Sequence, residues 1–527
     1  MPDEGAGTRA LADLVDRWFA EGRLVGAERP AGDLTGGTGI KVTGVQDDSR
    51  QVVPGNLFVA VRGLRVDGHD FVDEAVHRGA AAVAVERQVG DASVPQLVVD
   101  RAAAALASAA AWWYGDPSRE LLTVGVTGTN GKTTTSFLAE AALEAGGIGS
   151  GLVGTIGIRT GDVLVPNREP NTTPGALELQ RILRSMRAAG EEAVVIETSS
   201  HGLAADRVAS VAYDGAIFTN LSHEHLDFHG TFEAYRDAKL SLFGRLPRDA
   251  TGGRPAVAVI NLDDEHGPAF ATAGEAAGAM VIGYGRSHGA ALMLLDVQAD
   301  ASGSRLVVEI GGSPPVEVFL PIAGRFNAHN ALAALGLAYG WRLDLRPVIE
   351  AFARFPGVPG RMESVRLGQP FHVVIDFAHT PGSLEAAARE LAELAEPSGG
   401  GVISVFGASG ERDVGKRPLM GEAAARHSRL VIVTEDDSRG EDPASIYDQI
   451  AQGAEKAGKQ MGEDLLVIGD RREAIAEAFR RAKPNDVVLL AGKGHETWNM
   501  GPNGPEPWSE RDVAESLLST GADRTRC

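Results

Sequence analysis

A chain of 527 residues exceeds what one hydrophobic core serves, so about two to four domains are expected. A hydrophobic content of 43% excludes a disordered chain, and a net charge of −21 argues against a general nucleic-acid or anionic-membrane binder, though not against a local basic pocket. The single cysteine, Cys527, excludes disulfides and cysteine-rich metal centres and suits a reducing cytoplasm.

The opening MPDEGAGTRALADLV is acidic and lacks the basic-then-apolar order of a signal peptide. A tetrapeptide, DDSR, follows at 47–50 and recurs at 436–439 with unrelated flanks, so it marks two sites and not a repeat. AAAALASAAAWWYG is too short to span a bilayer, which takes ~20 residues, and reads as a buried or half-buried helix. GDPSRE at 115–120 is a joint, after which LLTVGV, AVVIE, AIFT and AVAVI alternate with helical stretches. SRLVVEIGGSPPVEVFLPI reads as an antiparallel hairpin, and helices are expected near 328–340 and 346–354. A second joint, PGVPGR at 356–361, precedes HVVIDF, VISVF, LVIV, LLVI and VVLLA. Near-continuous apolar strands between helices mean parallel sheets covered on both faces. The expected fold is α/β in three domains: a smaller, less legible N-terminal one (1–117), a central P-loop-type ATPase (118–356) and a C-terminal Rossmann-like sheet (357–527). Glu197, Asn220, Asn261 and Asp376 lie at strand ends, where ligands of open α/β sheets bind.

LLTVGVTGTNGKTTTSFLAEAAL passes from strand through a glycine-rich turn into a helix beginning near Lys132. Amides of such a turn and the helix N-terminus cradle anions, Lys132 would reach the β- and γ-phosphates, and Thr133 would ligate Mg²⁺. The usual first glycine is missing, since Val126 stands five before Gly131. Downstream, HEHLDFH fails the zinc-protease spacing, which leaves His223 and His229 structural by default; Leu226, Phe228 and Phe232 suggest that this stretch packs against something.

TGTNGKTT is the variant found in the Mur ligase superfamily, which includes folylpolyglutamate synthases. With NTTPGALELQ, ETSSHGLAADRV, FTNLSHEHLDFHGTFEAYRDAKLSLF, GRFNAHNALAAL, GVPGRME, VVIDFAHTPGSLEAA, VFGASGERDVGKRPLMG and AGKGHET, the chain resembles its MurE type over about 120–500, and DDSRQVVPGNLFVAVRG extends the likeness forward. The resemblance implies an ATP-dependent, ADP-forming amide ligase that adds a diamino acid to UDP-N-acetylmuramoyl-L-alanyl-D-glutamate through an acyl phosphate. It also implies a cytoplasmic monomer of peptidoglycan precursor synthesis. A folylpolyglutamate synthase is the nearest rival, and SSHGL, RDVGKRP and GKGHE speak against it. A non-catalytic P-loop module would make His225, Lys239, Arg412 and Glu496 incidental.

Carried over by position, the resemblance gives ATP the loop Gly128, Thr129, Asn130, Gly131, Lys132, Thr133 and Thr134, together with Asn261, Asn330, Arg361 and Asp376. Two Mg²⁺ ions would rest on Thr133, Glu197, His225 and Lys239, the last as a carbamate, and Lys132, His225 and Lys239 would carry the catalysis. Ser49, Thr172, Thr173, Ser199 and Arg207 would meet the UDP-linked dipeptide, with Ala205 where a glutamine is often found. The diamino acid would meet Arg412, Asp436, Asp437, Ser438, Arg439, Gly492 and Glu496. Enzymes of this type using meso-diaminopimelate usually read DNPR at the second DDSR. Arg439 favours its distal carboxylate, whereas an extra carboxylate at Asp437 favours lysine or ornithine. The balance leans to meso-diaminopimelate.

Overall fold

The computed structural model describes residues 7–25, 39–63, 66–90, 92–167, 171–247, 253–501 and 504–524; Cys527 lies outside them. The chain divides into two compact units, 1–290 with 333–345, and 291–332 with 346–527. Among the described residues no helix is long and apolar enough to cross a membrane.

The first unit opens with strands Gly44–Gln46, Asn56–Val59, Ala82–Val85 and Gln96–Val98, parallel and in that order. Strands of three or four residues give little periodicity, which is why this region reads poorly from sequence. The Ala-rich segment is the helix Ala102–Tyr114, buried among Leu57, Val59, Ala84 and Trp18. Small side chains let it lie close against the sheet.

The parallel core of a larger sheet in the same unit runs Ser150–Val153, Ala193–Glu197, Leu122–Thr127, Gly215–Phe218, Val257–Asn261, Met280–Gly285, with antiparallel strands Gly157–Thr160 and Val163–Pro166 beyond its first strand. Its strands are almost wholly buried, as the apolar runs require, and one covering layer centres on Ile196, Phe218, Ile260 and Phe270. Because the strands are parallel, Thr127, Glu197, Phe218 and Asn261 all finish at one edge. That edge carries the chemistry.

In the second unit the hairpin pairs Gly303–Ile310 with Val316–Leu320, as expected. A separate sheet runs Glu363–Val365, His372–Asp376, Val487–Ala491, Val402–Phe406, Ser428–Val433, Leu465–Val467, parallel except for its first strand. Asp376, Gly492, the 407–415 loop and the second DDSR follow the carboxyl ends of these strands.

Glu140, on the helix Lys132–Ala145, is buried with its side chain 3% exposed and pairs with Arg159 at 3.0 Å. Burial above all, helped by Glu144 and Glu191 and opposed by Arg159, pushes its carboxyl up to about 7. The folded chain therefore keeps a proton that the unfolded chain gives up near 4.5, so this group's stabilisation is lost as pH rises through about 7. Glu140→Gln is expected to match the parent near pH 4.5 and to exceed it at alkaline pH by about 3 kcal/mol. Urea midpoints measured across that range check it, and equal midpoints throughout would contradict it.

Candidate active site

The strand Leu122–Thr127 delivers the phosphate loop, and the helix Lys132–Ala145 leaves it. Gly128 is required, since a Cβ there would stand 1.9 Å from Thr219 Oγ1. Gly131 opens the helix at φ +83, without a side-chain cap, which leaves the first-turn amides to an anion. Asn130 N donates to Asn220 Oδ1 (2.9 Å), Asn220 Nδ2 returns to Asn130 O (2.9 Å), and Thr219 Oγ1 donates to the same carbonyl (2.7 Å). Thr129 Oγ1 meets Tyr235 OH at 2.9 Å. The loop is therefore fixed from outside its own sequence. Lys132 Nζ donates to Gly128 O (2.9 Å) and Thr129 O (2.8 Å), so its ammonium lies over the cradle.

Beside the loop, Thr133 Oγ1 donates to Glu197 Oε2 at 3.0 Å. Thr155 holds the same carboxylate, through its amide to Oε1 (3.0 Å) and its hydroxyl to Oε2 (3.1 Å). A hydroxyl and a carboxylate on facing elements are the hard oxygen donors that Mg²⁺ takes, so these residues fit that ion. Thr155 Oγ1 also reaches Thr172 Oγ1 (3.1 Å), Thr173 Oγ1 donates to Glu197 O (2.8 Å) and meets Ser199 Oγ (3.0 Å), and Arg207 Nη1 donates to Thr173 O (3.0 Å). Four of the five expected contacts of the UDP-linked dipeptide, Thr172, Thr173, Ser199 and Arg207, thus gather at the end of one strand.

Lys239 is 1% exposed, on the helix Phe232–Phe243. Its Nζ donates to Gly128 O at 2.6 Å and lies 4.7 Å from the Tyr235 ring centroid. Burial, then Lys132, holds its pKa well below the ordinary lysine range. His225 caps the short helix Leu226–His229 at φ +56, its ring 4.6 Å from His201 and 6.2 Å from Tyr235. Burial holds it below the usual histidine range, with Lys132 and Lys239 adding to the effect against Glu224. His201 is lowered to about 4, by burial and then by His225. Packing of this stretch is narrower than its apolar residues suggested. Phe228 lies on His201 (4.2 Å) and Phe232 stacks on His223 (4.6 Å), but Leu226 is 39% exposed.

Asn261 Nδ2 donates to Thr219 O (2.7 Å) and its Oδ1 accepts from Asp263 N (3.0 Å). Beside the amino-terminal sheet, Ser49 in the 3-10 turn Ser49–Gln51 donates to Glu74 Oε2 (2.7 Å), while the exposed Arg50 holds Asp48 at about 2.

Within the second unit, Asn330 Nδ2 donates to Asn327 Oδ1 (2.8 Å). Asp376 accepts from Met362 N (2.8 Å), and burial raises its pKa against the pull of Arg361. Arg361 lies 5.1 Å from the Phe377 ring centroid, its Nε buried without a partner. The second DDSR turn is folded on itself. Asp437 Oδ1 accepts from Lys493 Nζ and from Met500 N, both at 2.8 Å, and Lys493 also meets Glu496 Oε2 at 2.9 Å. Asp437 thus turns its carboxylate onto a buried lysine that it shares with Glu496, with Asp436 at 4.0 Å. Arg439 Nε is buried without a partner, and Arg412 is exposed on the 407–415 loop. Behind them Arg471 is fully buried against Glu510 (2.7 Å) and donates to Ala491 O (2.8 Å) and Glu435 O (3.0 Å). Sequence reasoning missed Thr155, Thr219, Tyr235, Lys493 and this pair. Thr219 and Tyr235, inside FTNLSHEHLDFHGTFEAYRDAKLSLF, and Lys493, inside AGKGHE, carried a signal; Thr155 and the Arg471–Glu510 pair carried none.

Three family descriptions match in sequence: the Mur ligase family catalytic domain at 41–114, the Mur ligase middle domain at 126–338, and the Mur ligase glutamate ligase domain at 360–494. A UDP-N-acetylmuramyl-tripeptide synthetase of Roseiflexus sp. (strain RS-1) is 45% identical over 91% of this chain and 95% of its own. The chain belongs to the Mur ligase family. It is an ATP-dependent, ADP-forming ligase with that family's three-domain α/β architecture. A Bacillus cereus UDP-N-acetylmuramoyl-L-alanyl-D-glutamate–2,6-diaminopimelate ligase is 37% identical over 91% of this chain and 94% of its own. Among solved structures, a ligase of that same description superposes with a TM-score of 0.68 at 29% identity, covering 98% of this chain and all of the other. A Mycobacterium tuberculosis folylpolyglutamate synthase reaches a TM-score of 0.56 at 20% identity over 73% of this Mur ligase and 91% of its own chain, a likeness of fold alone.

Proposed function

We propose that this Mur ligase joins meso-diaminopimelate to the terminal carboxylate of UDP-N-acetylmuramoyl-L-alanyl-D-glutamate, cleaving ATP to ADP and phosphate, in peptidoglycan precursor synthesis. The choice of amino acid rests on Arg412 and Arg439, which form no ion pair among the described residues. They lie on turns beyond two neighbouring parallel strands. A guanidinium fork takes a carboxylate through paired hydrogen bonds, and lysine and ornithine lack the distal carboxylate that diaminopimelate offers. Asp437 directs its carboxylate onto the buried Lys493, which it shares with Glu496, and not toward the arginines. Gly492 and Glu496 would face the distal ammonium, and Asp436 and Ser438, in the 436–439 turn, would meet the same amino acid.

In this reading the loop amides and Lys132 hold the ATP phosphates in line with the dipeptide carboxylate, which Thr172, Thr173, Ser199 and Arg207 orient. The carboxylate oxygen attacks the γ-phosphorus, and ADP leaves. The amine of the diamino acid then attacks the acyl carbon, giving a tetrahedral adduct that expels phosphate and loses a proton to leave the amide. Thr133 and Glu197 would hold one Mg²⁺, and His225 with a carbamate on Lys239 a second; bound there, the ions neutralise the charge of the transferring phosphoryl group. Asn261, Asn330, Arg361 and Asp376 would meet the nucleoside, and Ser49 the uridine diphosphate. The domains would divide at 1–117, 118–356 and 357–527, serving the UDP moiety, ATP and the amino acid in turn. An ATP-dependent step on a UDP-linked substrate supports a cytoplasmic enzyme.

Offered diaminopimelate, lysine and ornithine at equal concentration with ATP and the UDP-linked dipeptide, the enzyme should incorporate diaminopimelate by about 10²-fold or more over the others. Preferential incorporation of lysine or ornithine would overturn the reading of Arg439.

A further inference from the structure

Asp437 sits at a junction of four chain segments. Its Oδ1 accepts from Lys493 Nζ and Met500 N (both 2.8 Å), and its own amide donates to Asn499 Oδ1 (3.2 Å). Its carbonyl accepts from Gly410 N (2.9 Å), at the base of the loop that carries Arg412. Met500, held at its amide by Asp437, uses its carbonyl to accept from Arg439 N (2.9 Å). Asp437 and Arg439 both occupy the left-handed region, at φ +52 and +54, uncommon for non-glycine residues and tolerated better by aspartate than by arginine. Met500 belongs to the hairpin Trp498–Gly501 with Gly504–Pro507. Asp437 is thus bonded to the backbone from which both free arginines project, and its carboxylate is turned inward, onto a lysine that is 0% exposed.

We propose that Asp437 is a positioning residue: it clamps the 436–439 turn, the 407–415 loop and the 498–501 strand into one rigid frame that aims Arg439 and Arg412 at the distal carboxylate of the amino acid. It acts through that frame and does not itself touch the ligand. The consequence for the amino acid rests on the proposed function; the clamp does not. Asparagine at this position keeps an oxygen where Oδ1 stands, whereas alanine removes the acceptor from both Lys493 and Met500.

The test reads the clamp first without any substrate, by amide hydrogen exchange on the full chain. Asp437→Ala should speed exchange at Gly410, Arg439 and Met500, and Asp437→Asn should restore most of the protection. With substrates, Asp437→Ala should raise KM for diaminopimelate on the order of 10²-fold, the scale of a misplaced contact, while KM for ATP and for the UDP-linked dipeptide stays near the parent's. Asp437→Asn should recover most of that loss and keep the preference for diaminopimelate over lysine. Unchanged exchange in Asp437→Ala overturns the clamp. An asparagine variant as impaired as the alanine one, or one with its amino-acid preference shifted away from lysine, overturns the inward role and makes Asp437 a direct contact. A parent enzyme that ligates no diamino acid sinks the proposed function and leaves the exchange result standing.

Discussion

Lys132→Ala should lower amide formation by about 10²–10³-fold while leaving the urea midpoint close to the parent's. The geometry separates the two effects. Lys132 Nζ donates to two carbonyls of its own loop, Gly128 O and Thr129 O, and it is partly exposed, so water can take its place at both. The loop keeps its shape through Asn220, Thr219 and Tyr235, none of which the substitution touches. What disappears is a positive charge over the phosphate cradle, and in phosphoryl transfer such charge matters most as the γ-group moves between oxygens. ADP, held chiefly by backbone amides at the helix N-terminus, should bind the variant with a smaller loss than the loss in turnover. Steady-state ADP release and ADP titration calorimetry measure the two quantities. Turnover near the parental value would defeat the phosphate-loop assignment.

That loop was legible because its determinants are local: an apolar strand, a glycine that no Cβ could replace, and a helix that starts at once. The parallel sheets were legible for a similar reason, since strands buried on both faces must be apolar throughout. The braces were not. Asn220 reads as one more polar residue after a strand, yet its amide bonds Asn130 in both directions across 90 residues. Asn261 likewise spends its side chain on Thr219 O and Asp263 N. Thr155 lies in a stretch with no motif and becomes a partner of Glu197 only when two parallel strands are set side by side. Asp437 is the plainest case. Sequence supplies its charge, but the sign it presents to a ligand depends on Lys493, 56 residues on. Residue types at strand ends were readable; which of them neutralise one another depends on pairings that sequence distance hides.

Lys239→Ala should abolish ligation, and small carboxylates such as acetate should restore part of it. The reasoning starts from burial. A lysine that is 1% exposed, against Gly128 O and the Tyr235 ring and near the charge of Lys132, is held well below its ordinary pKa, which favours the neutral amine over the ammonium. A neutral amine has the lone pair needed to add to CO₂: the N–C bond forms, the nitrogen loses a proton, and a cation becomes a carbamate anion. That inversion of charge would make the position a ligand for Mg²⁺ beside the phosphate loop, and a free carboxylate can stand in for it once the side chain is cut back. Lys239→Met, which fills the same space without an amine, should fold like the parent and stay as inactive as alanine, separating the lost anion from the lost packing. Carbon-13 spectra of the parent under labelled CO₂ should show a carbamate signal that both variants lack. If the parent shows none and Lys239→Met retains parental turnover, the lysine serves only to fill space behind Gly128. If the signal is present and acetate fails to rescue, the carbamate assignment stands and the pocket is closed to the added ion.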